Sequence, residues 1–218
     1  PETPIFNKRR TLFNLDVARK AARQDGKLYL FEGFMDVISA FGAGIQGGVA
    51  SMGTSFTEEQ VETIHRTTTQ LDICYDGDSA GQNAIDRAIK LVESQQAGNL
   101  QVRVVQLPAG VDPDEYVQRF GPEKFRQYLA SQEETTVDFY LRFLRQGRNL
   151  DQQGERMDYL NQVLKVIATV PTPLEEDLYL SKLAQEFSLD KAALQSQLTQ
   201  VRAHTGIRQP RPAPGQRN

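Results

Sequence analysis

Two hydrophobic periods alternate along the first half of the chain. Short apolar runs of strand length are each followed by a stretch whose apolar residues return every three or four positions. From about Leu12 to Gln24 the pattern predicts an amphipathic helix, ended by Asp25-Gly26. Lys27-Leu28-Tyr29-Leu30-Phe31 predicts a strand, followed by a helix over roughly Phe34 to Phe41. Gly47 to Met52 predicts a short buried strand, and Thr57 with Gln60 has the spacing of a capping box that opens a helix to about Arg66. Leu71 to Tyr75 predicts a third strand of this series. Ala84, Ile85, Ala88, Ile89 and Val92 then recur at helical steps behind a second capping-box spacing, Ser79 and Gln82. Leu100 to Leu107 predicts a fourth, running through Pro108-Ala109-Gly110 into Asp112-Pro113-Asp114-Glu115. Strand and helix thus alternate four times, which predicts an α/β fold with a parallel sheet flanked by helices.

From Gly121 onward the periodicity predicts no further strand. Segments near 122–130, 135–146, 151–169, 173–187 and 190–203 read as helices, broken at Gly147, Pro171 and Ser188. Thr172, Pro173 and Glu175 make a helix start. This half predicts an all-helical subdomain over 121–203, and the Pro-, Gly- and Arg-rich residues 204–218 predict a flexible linker. The start at Pro1 and the Pro/Arg end suggest a fragment excised from a longer protein.

Composition narrows the chemistry. No apolar run approaches membrane-spanning length, and no signal peptide is present. Cys74 is the only cysteine, which excludes a disulfide framework and a cysteine zinc site. His65 and His204 are the only histidines, so a His-rich metal centre is excluded as well. Any metal must be held by oxygen, which points to magnesium or manganese. The net charge is −3, but residues 1–27 carry seven basic residues against three acidic ones, leaving the remainder strongly acidic. A basic entry segment beside an acidic site suits a phosphate-bearing polymer or nucleotide.

The acids sit in a pattern. Three of the four strands of this series end in carboxylates: Glu32; Asp76 and Asp78; Asp112 and Asp114. Asp36 lies four residues after Glu32 and returns to the same side one turn into a helix. Ligands of open α/β sheets bind at such strand ends. Two carboxylates about 4 Å apart repel by roughly 4 kcal/mol at an effective dielectric of about 20, a cost that a divalent cation removes. Plainer readings exist. Asp76-Gly77-Asp78 is turn chemistry, and Asp112 before Pro113 is an ordinary helix start. An EF-hand is excluded because its twelfth position is Arg87 rather than Glu. A phosphatase motif with two aspartates one residue apart is a rival, but Ala80 and Gly81 depart from it. The glycines at 42–48 lack a following Gly-Lys-Ser/Thr and are not a Walker loop.

Glu32-Gly33 after one strand and Asp76-Gly77-Asp78 after a later one resemble the Toprim family. The wider match, through Pro1 to Lys8, Leu30 to Val37, Ala50 to Ser55, Tyr75 to Gly81 and Leu107 to Asp114, resembles the DnaG-type bacterial replicative primases over roughly residues 1–116. The resemblance implies a Toprim α/β domain over 28–120, preceded at 1–27 by the end of a basic amino-terminal subdomain. It implies DNA-directed RNA primer synthesis by two-metal nucleotidyl transfer. Glu32, Asp76 and Asp78 would be the principal catalytic, metal-binding acids, with Asp36, Asp112 and Asp114 as further acids of the site. Lys8, with Arg9 and Arg10, would face the nucleotide or template phosphates. Ser79 stands where some family members have Arg. Implied partners are magnesium or manganese, a single-stranded DNA template, ribonucleoside triphosphates, the RNA primer, and a replicative helicase bound through a domain outside this chain. The implied location is the bacterial cytoplasm. Topoisomerases and nucleases of the same fold are the rival enzymes, and a non-catalytic phosphate-binding or interaction module is the rival outside enzymes.

Overall fold

The structure is a computed structural model that describes residues 3, 7–51, 53, 55–95 and 100–205. It divides into two compact units, residues 1–136 and 137–218. The first contains, in chain order, β1 (Leu12–Phe13), α1 (Leu15–Asp25), β2 (Lys27–Phe31), α2 (Phe34–Gly42), β3 (Gly48–Ser51), α3 (Glu58–His65), β4 (Gln70–Cys74), α4 (Ser79–Ser94), β5 (Gln101–Val105), α5 (Pro113–Phe120), α6 (Pro122–Ser131) and β6 (Glu133–Thr135). The second is formed by α7 (Thr136–Phe143, its first residue at the boundary), α8 (Gln153–Ile167), α9 (Pro173–Phe187) and α10 (Lys191–Thr205).

The six strands form one sheet in the order β1-β3-β2-β4-β5-β6. The four central strands are parallel, as the strand–helix alternation predicts. Both edges correct that expectation, because β1 and β6 run antiparallel to their neighbours and the sheet is mixed. Most positions of β2, β3 and β4 are apolar because these strands are covered on both faces. Leu28, Leu30, Phe31, Val49, Ala50, Leu71, Ile73 and Cys74 are all fully buried. One core groups Phe31, Val37, Val105, Leu107, Tyr116 and Phe125, joining the sheet to α2, α5 and α6.

Two elements differ from the periodicity. The helix expected from Leu12 begins at Leu15, because Leu12 and Phe13 pair with Ser51 and Ala50 on β3. Asn14 makes the break with a left-handed backbone (φ 64°), and its side-chain amide donates to the Gly48 carbonyl at 2.9 Å. β6 lies where no strand was predicted. Its Glu133-Glu134-Thr135 has no apolar run, and it is a strand only because Val105, Val104 and Arg103 of β5 supply the pairing.

The first-turn end of β2 and β4 carries a buried charge cluster. Asp72 is fully buried, 3.1 Å from Lys27 Nζ, and accepts from Gln70 Nε2 at 2.7 Å. Lys27 also bonds to Glu133 on β6. Burial pushes the Asp72 carboxyl above its usual range, against the pull of Gln70 and Lys27. Burial opposes the Lys27 charge too, but Glu133, Tyr29 and Asp72 outweigh it and raise its pKa.

The second unit has its own core, in which Tyr159, Ile167, Leu180, Leu183 and Leu198 are fully buried. Arg202 and Glu176 form a buried pair at 2.7 Å. The linker expected over 204–218 corresponds at 204–205 to the end of α10, and residues 206–218 lie outside the described residues.

Replacing Lys27 by Met removes the cation from a buried carboxylate, a change that typically costs about 3–5 kcal/mol. Because the Asp72 pKa is raised in the fold, its ionisation favours the unfolded chain as pH rises through the ordinary carboxylate range. Urea unfolding of K27M should therefore show a deficit against wild type at pH 7 that shrinks toward pH 4.

Candidate active site

The register of the sheet sets the site. β2 and β4 pair in parallel from Lys27↔Gln70 to Phe31↔Cys74, so Glu32 and Tyr75-Asp76 leave the sheet at the same rim. β5 runs parallel on the other side of β4. Its continuation returns to the rim, where the Gly77 amide donates to the Val111 carbonyl at 3.3 Å. Two glycines permit this closeness. A Cβ on Gly77 would lie 2.1 Å from the Pro108 carbonyl oxygen, and one on Gly81 would lie 2.2 Å from the Asp76 carbonyl oxygen.

Three helices begin at this rim, each with an acid at its start. Asp78 caps α4, its Oδ1 accepting from the Gly81 amide at 2.7 Å. This corrects the expected Ser79–Gln82 box: the second aspartate, one residue earlier, takes the cap position. Asp112 caps α5, accepting from the Glu115 amide at 2.6 Å, with Pro113 in the first turn. Asp36 in the first turn of α2 accepts from the Gly33 amide at 3.0 Å. Asp114 accepts from the Ser39 hydroxyl on α2 and from Gln118 Nε2 at 2.7 Å, which ties α5 to α2. Helix amino ends favour negative charge, so the rim partly offsets the acids it gathers.

The offset is incomplete. Burial, then the charges of Glu32, Asp36, Asp112 and Asp78, push the Asp76 carboxyl up to about 7. Burial raises Asp36 to about 6, with Asp112 and Asp114 adding to it and the Gly33 and Asp114 amides opposing. Asp76 therefore lies in the field of four of the other five predicted acids. Among the described residues, no Lys or Arg pairs with any of the six. Nor do three His, Cys, Asp or Glu side chains among the described residues cluster tightly enough to form a ready cation cage. Asp78 and Asp112 each commit one oxygen to a backbone amide and keep a second, and Asp36 is held by the Gly33 and Asp114 amides. An all-oxygen donor set carrying uncompensated negative charge fits a hard divalent cation.

The basic residues sit differently. The segment 8–11 is held to α3 by the fully buried Gln60, whose Nε2 donates to the Lys8 carbonyl at 3.0 Å and the Thr11 carbonyl at 2.9 Å. Arg9 Nε lies 3.5 Å from Glu59 on α3, and Arg10 is exposed. Tyr75, read from sequence only as a strand residue, is buried beside the rim. Burial and then Glu32 raise its hydroxyl pKa, against Arg87.

Asp76→Asn should stabilise the cation-free protein. A raised carboxyl pKa means that stability is lost as pH climbs from about 4 to about 7, and the amide does not ionise. In chelator at pH 8 the gain should be about 1–2 kcal/mol after solvent screening, vanishing near pH 4; thermal melts across that range measure it. Gly81→Ala should cost about 1–3 kcal/mol through the displaced Asp76 backbone, read by the same melts.

Comparison with known proteins places the geometry. A family model described as Toprim-like matches residues 29–117, and one described as the DnaB-helicase binding domain of primase matches residues 137–192. The second match corrects the expectation that helicase-binding sequence lies wholly outside this chain. The DNA primase of Enterococcus faecalis is 45% identical over 202 residues, 93% of this chain and 32% of the relative. That of Listeria monocytogenes is 47% identical over 200 residues, 92% of this chain and 32% of the relative. The chain thus spans about a third of the length of the curated relatives it matches. A DnaG primase catalytic domain bound to single-stranded DNA superposes with a TM-score of 0.71 at 31% identity, covering 88% of this chain and 61% of that one. The Escherichia coli primase catalytic core superposes with a TM-score of 0.69 at 31% identity, covering 87% and 60%. Family models, relatives and solved structures agree that this chain corresponds to a part of a bacterial DnaG-type DNA primase.

Proposed function

We propose that this chain carries the cation-binding part of a primase catalytic core and serves DNA-directed synthesis of RNA primers. The observation that supports this best is the shared rim: Glu32 and Asp76 follow register-paired strands, and Asp76 feels the charge of Glu32, Asp36, Asp112 and Asp78. Asp76, on which the charges of four of the acids act, would hold the cations together with Glu32 and Asp78, and Asp36, Asp112 and Asp114 would be further acids of the site.

The reaction is attack by a 3′-hydroxyl on the α-phosphorus of a ribonucleoside triphosphate, with pyrophosphate leaving. Magnesium or manganese ions held there would favour the hydroxyl's deprotonation and neutralise the leaving oxygens. Glu32 is exposed and would hold a cation or accept the hydroxyl proton. The amino ends of α2, α4 and α5 add fixed positive dipoles where phosphate charge gathers. Lys8, Arg9 and Arg10 attract triphosphate or template phosphates by charge. The template is single-stranded DNA, as in the DNA-bound relative. Among the described residues, no helix is long and apolar enough to cross a membrane.

The second unit is proposed to meet the replicative helicase. The matched segment 137–192 includes Leu174 and Leu178, one helical turn apart on α9 and 80% and 62% exposed, an apolar ridge suited to a partner.

Glu32→Gln or Asp76→Asn in the full-length enzyme should abolish primer synthesis while circular dichroism stays unchanged. Primer yields near wild type would refute the site. Replacing Leu174 and Leu178 together by Asp should weaken binding of purified helicase about tenfold or more in calorimetry, with an unchanged melt. Equal affinity would remove the ridge from the interface.

A further inference from the structure

A cavity of about 660 Å³ opens beside Glu32. Its walls include Glu32 after β2, Ser51 at the end of β3, Ser55 and Phe56 ahead of α3, and Arg87 and Leu91 on α4. Of the six acids at the rim only Glu32 lines it. The space far exceeds that of one ion and falls in the range of small-molecule sites, about 300–1,000 Å³. Small residues on α4 keep it open: Ala84 and Ala88 flank Arg87 on the lining.

The lining is chemically divided. Arg87 is its one cation, it is exposed, and among the described residues it makes no ion pair. The next acid on α4, Asp86, is instead paired with Lys90 at 2.8 Å. A guanidinium with open donors matches a phosphate in a planar, two-pronged contact. Phe56 is half-buried and offers a ring to stack a base, a contact tolerant of base identity. Glu32 and Ser51 offer oxygens to sugar hydroxyls.

We propose that this cavity binds one nucleotide unit, with its phosphate on Arg87, its base against Phe56 and its ribose toward Glu32 and Ser51. The proposal deepens the polymerase reading and rests on it for the placing of that nucleotide beside the reacting end. The same chemistry is presented by a free nucleotide and by one residue of an RNA strand.

The test uses the 218-residue chain in EDTA, so that the acids hold no cation. Guanosine monophosphate and a 5′-phosphorylated tetraribonucleotide are titrated separately and followed by amide chemical shifts. Both should shift the amides around Phe56 and Arg87. Arg87→Gln should weaken binding about tenfold or more with an unchanged melt, and Phe56→Ala should weaken it severalfold. Tighter binding of the tetranucleotide supports the site as a seat for the RNA strand, and equal binding supports it as a seat for free nucleotide. Absence of binding, shifts confined elsewhere, or an affinity unchanged by R87Q overturns the proposal. That failure would not touch the polymerase reading, which is judged separately by primer synthesis in Glu32 and Asp76 variants.

Discussion

Carboxylates gathered at the ends of neighbouring parallel strands repel one another, and the first unit is arranged to withstand that repulsion. β2 and β4 are locked over five residue pairs, so Glu32 and Asp76 have no freedom to leave by different edges. Asp36, Asp78 and Asp112 are restrained by backbone amides at the starts of three helices. What restraint leaves unbalanced collects on Asp76, whose carboxyl is pushed up to about 7 by burial and by the charges of Glu32, Asp36, Asp112 and Asp78. Such an arrangement costs stability without a cation and suits one that binds.

The other end of the same strands handles charge in the opposite way. Asp72 is buried more deeply than Asp76, yet it faces Lys27 and Gln70, and Lys27 in turn reaches Glu133 on the edge strand. One pair of strands thus has a compensated cluster at its start and an uncompensated one beyond its end. The compensated cluster ties β6 to the sheet, and the uncompensated one is left for a ligand. Glycine completes the contrast, because Gly77 and Gly81 let backbone approach where a side chain would force the acids apart.

Some of this was legible in the residues. The central strands are readable because burial on both faces demands continuous apolar runs. The Thr57–Gln60 box is readable because its two bonds, both 3.2 Å, are local. That acids recur after successive strands was readable because it is a matter of order along the chain. β6 was not legible: its glutamates carry no strand signal and its pairing comes from β5. The start of α1 was misread because Leu12 and Phe13 serve both a helical pattern and an edge strand. Asp72 was hidden in a strand of apolar neighbours, since its partner Lys27 lies 45 positions earlier.

The sequence alone determined the α/β order of the first half, the helical character of the second, and the oxygen-only chemistry of the acids. These follow from local periodicity, local caps and residue type, which act within a few positions. Only the tertiary structure decided that the sheet is mixed, that Asp78 rather than Ser79 caps α4, and that Asp76 bears the field of the other acids. It also decided that Arg87 faces a cavity sharing Glu32 with the rim. Strand pairing, desolvation and electrostatic fields act through space between distant residues, and a periodic pattern along the chain carries no record of them.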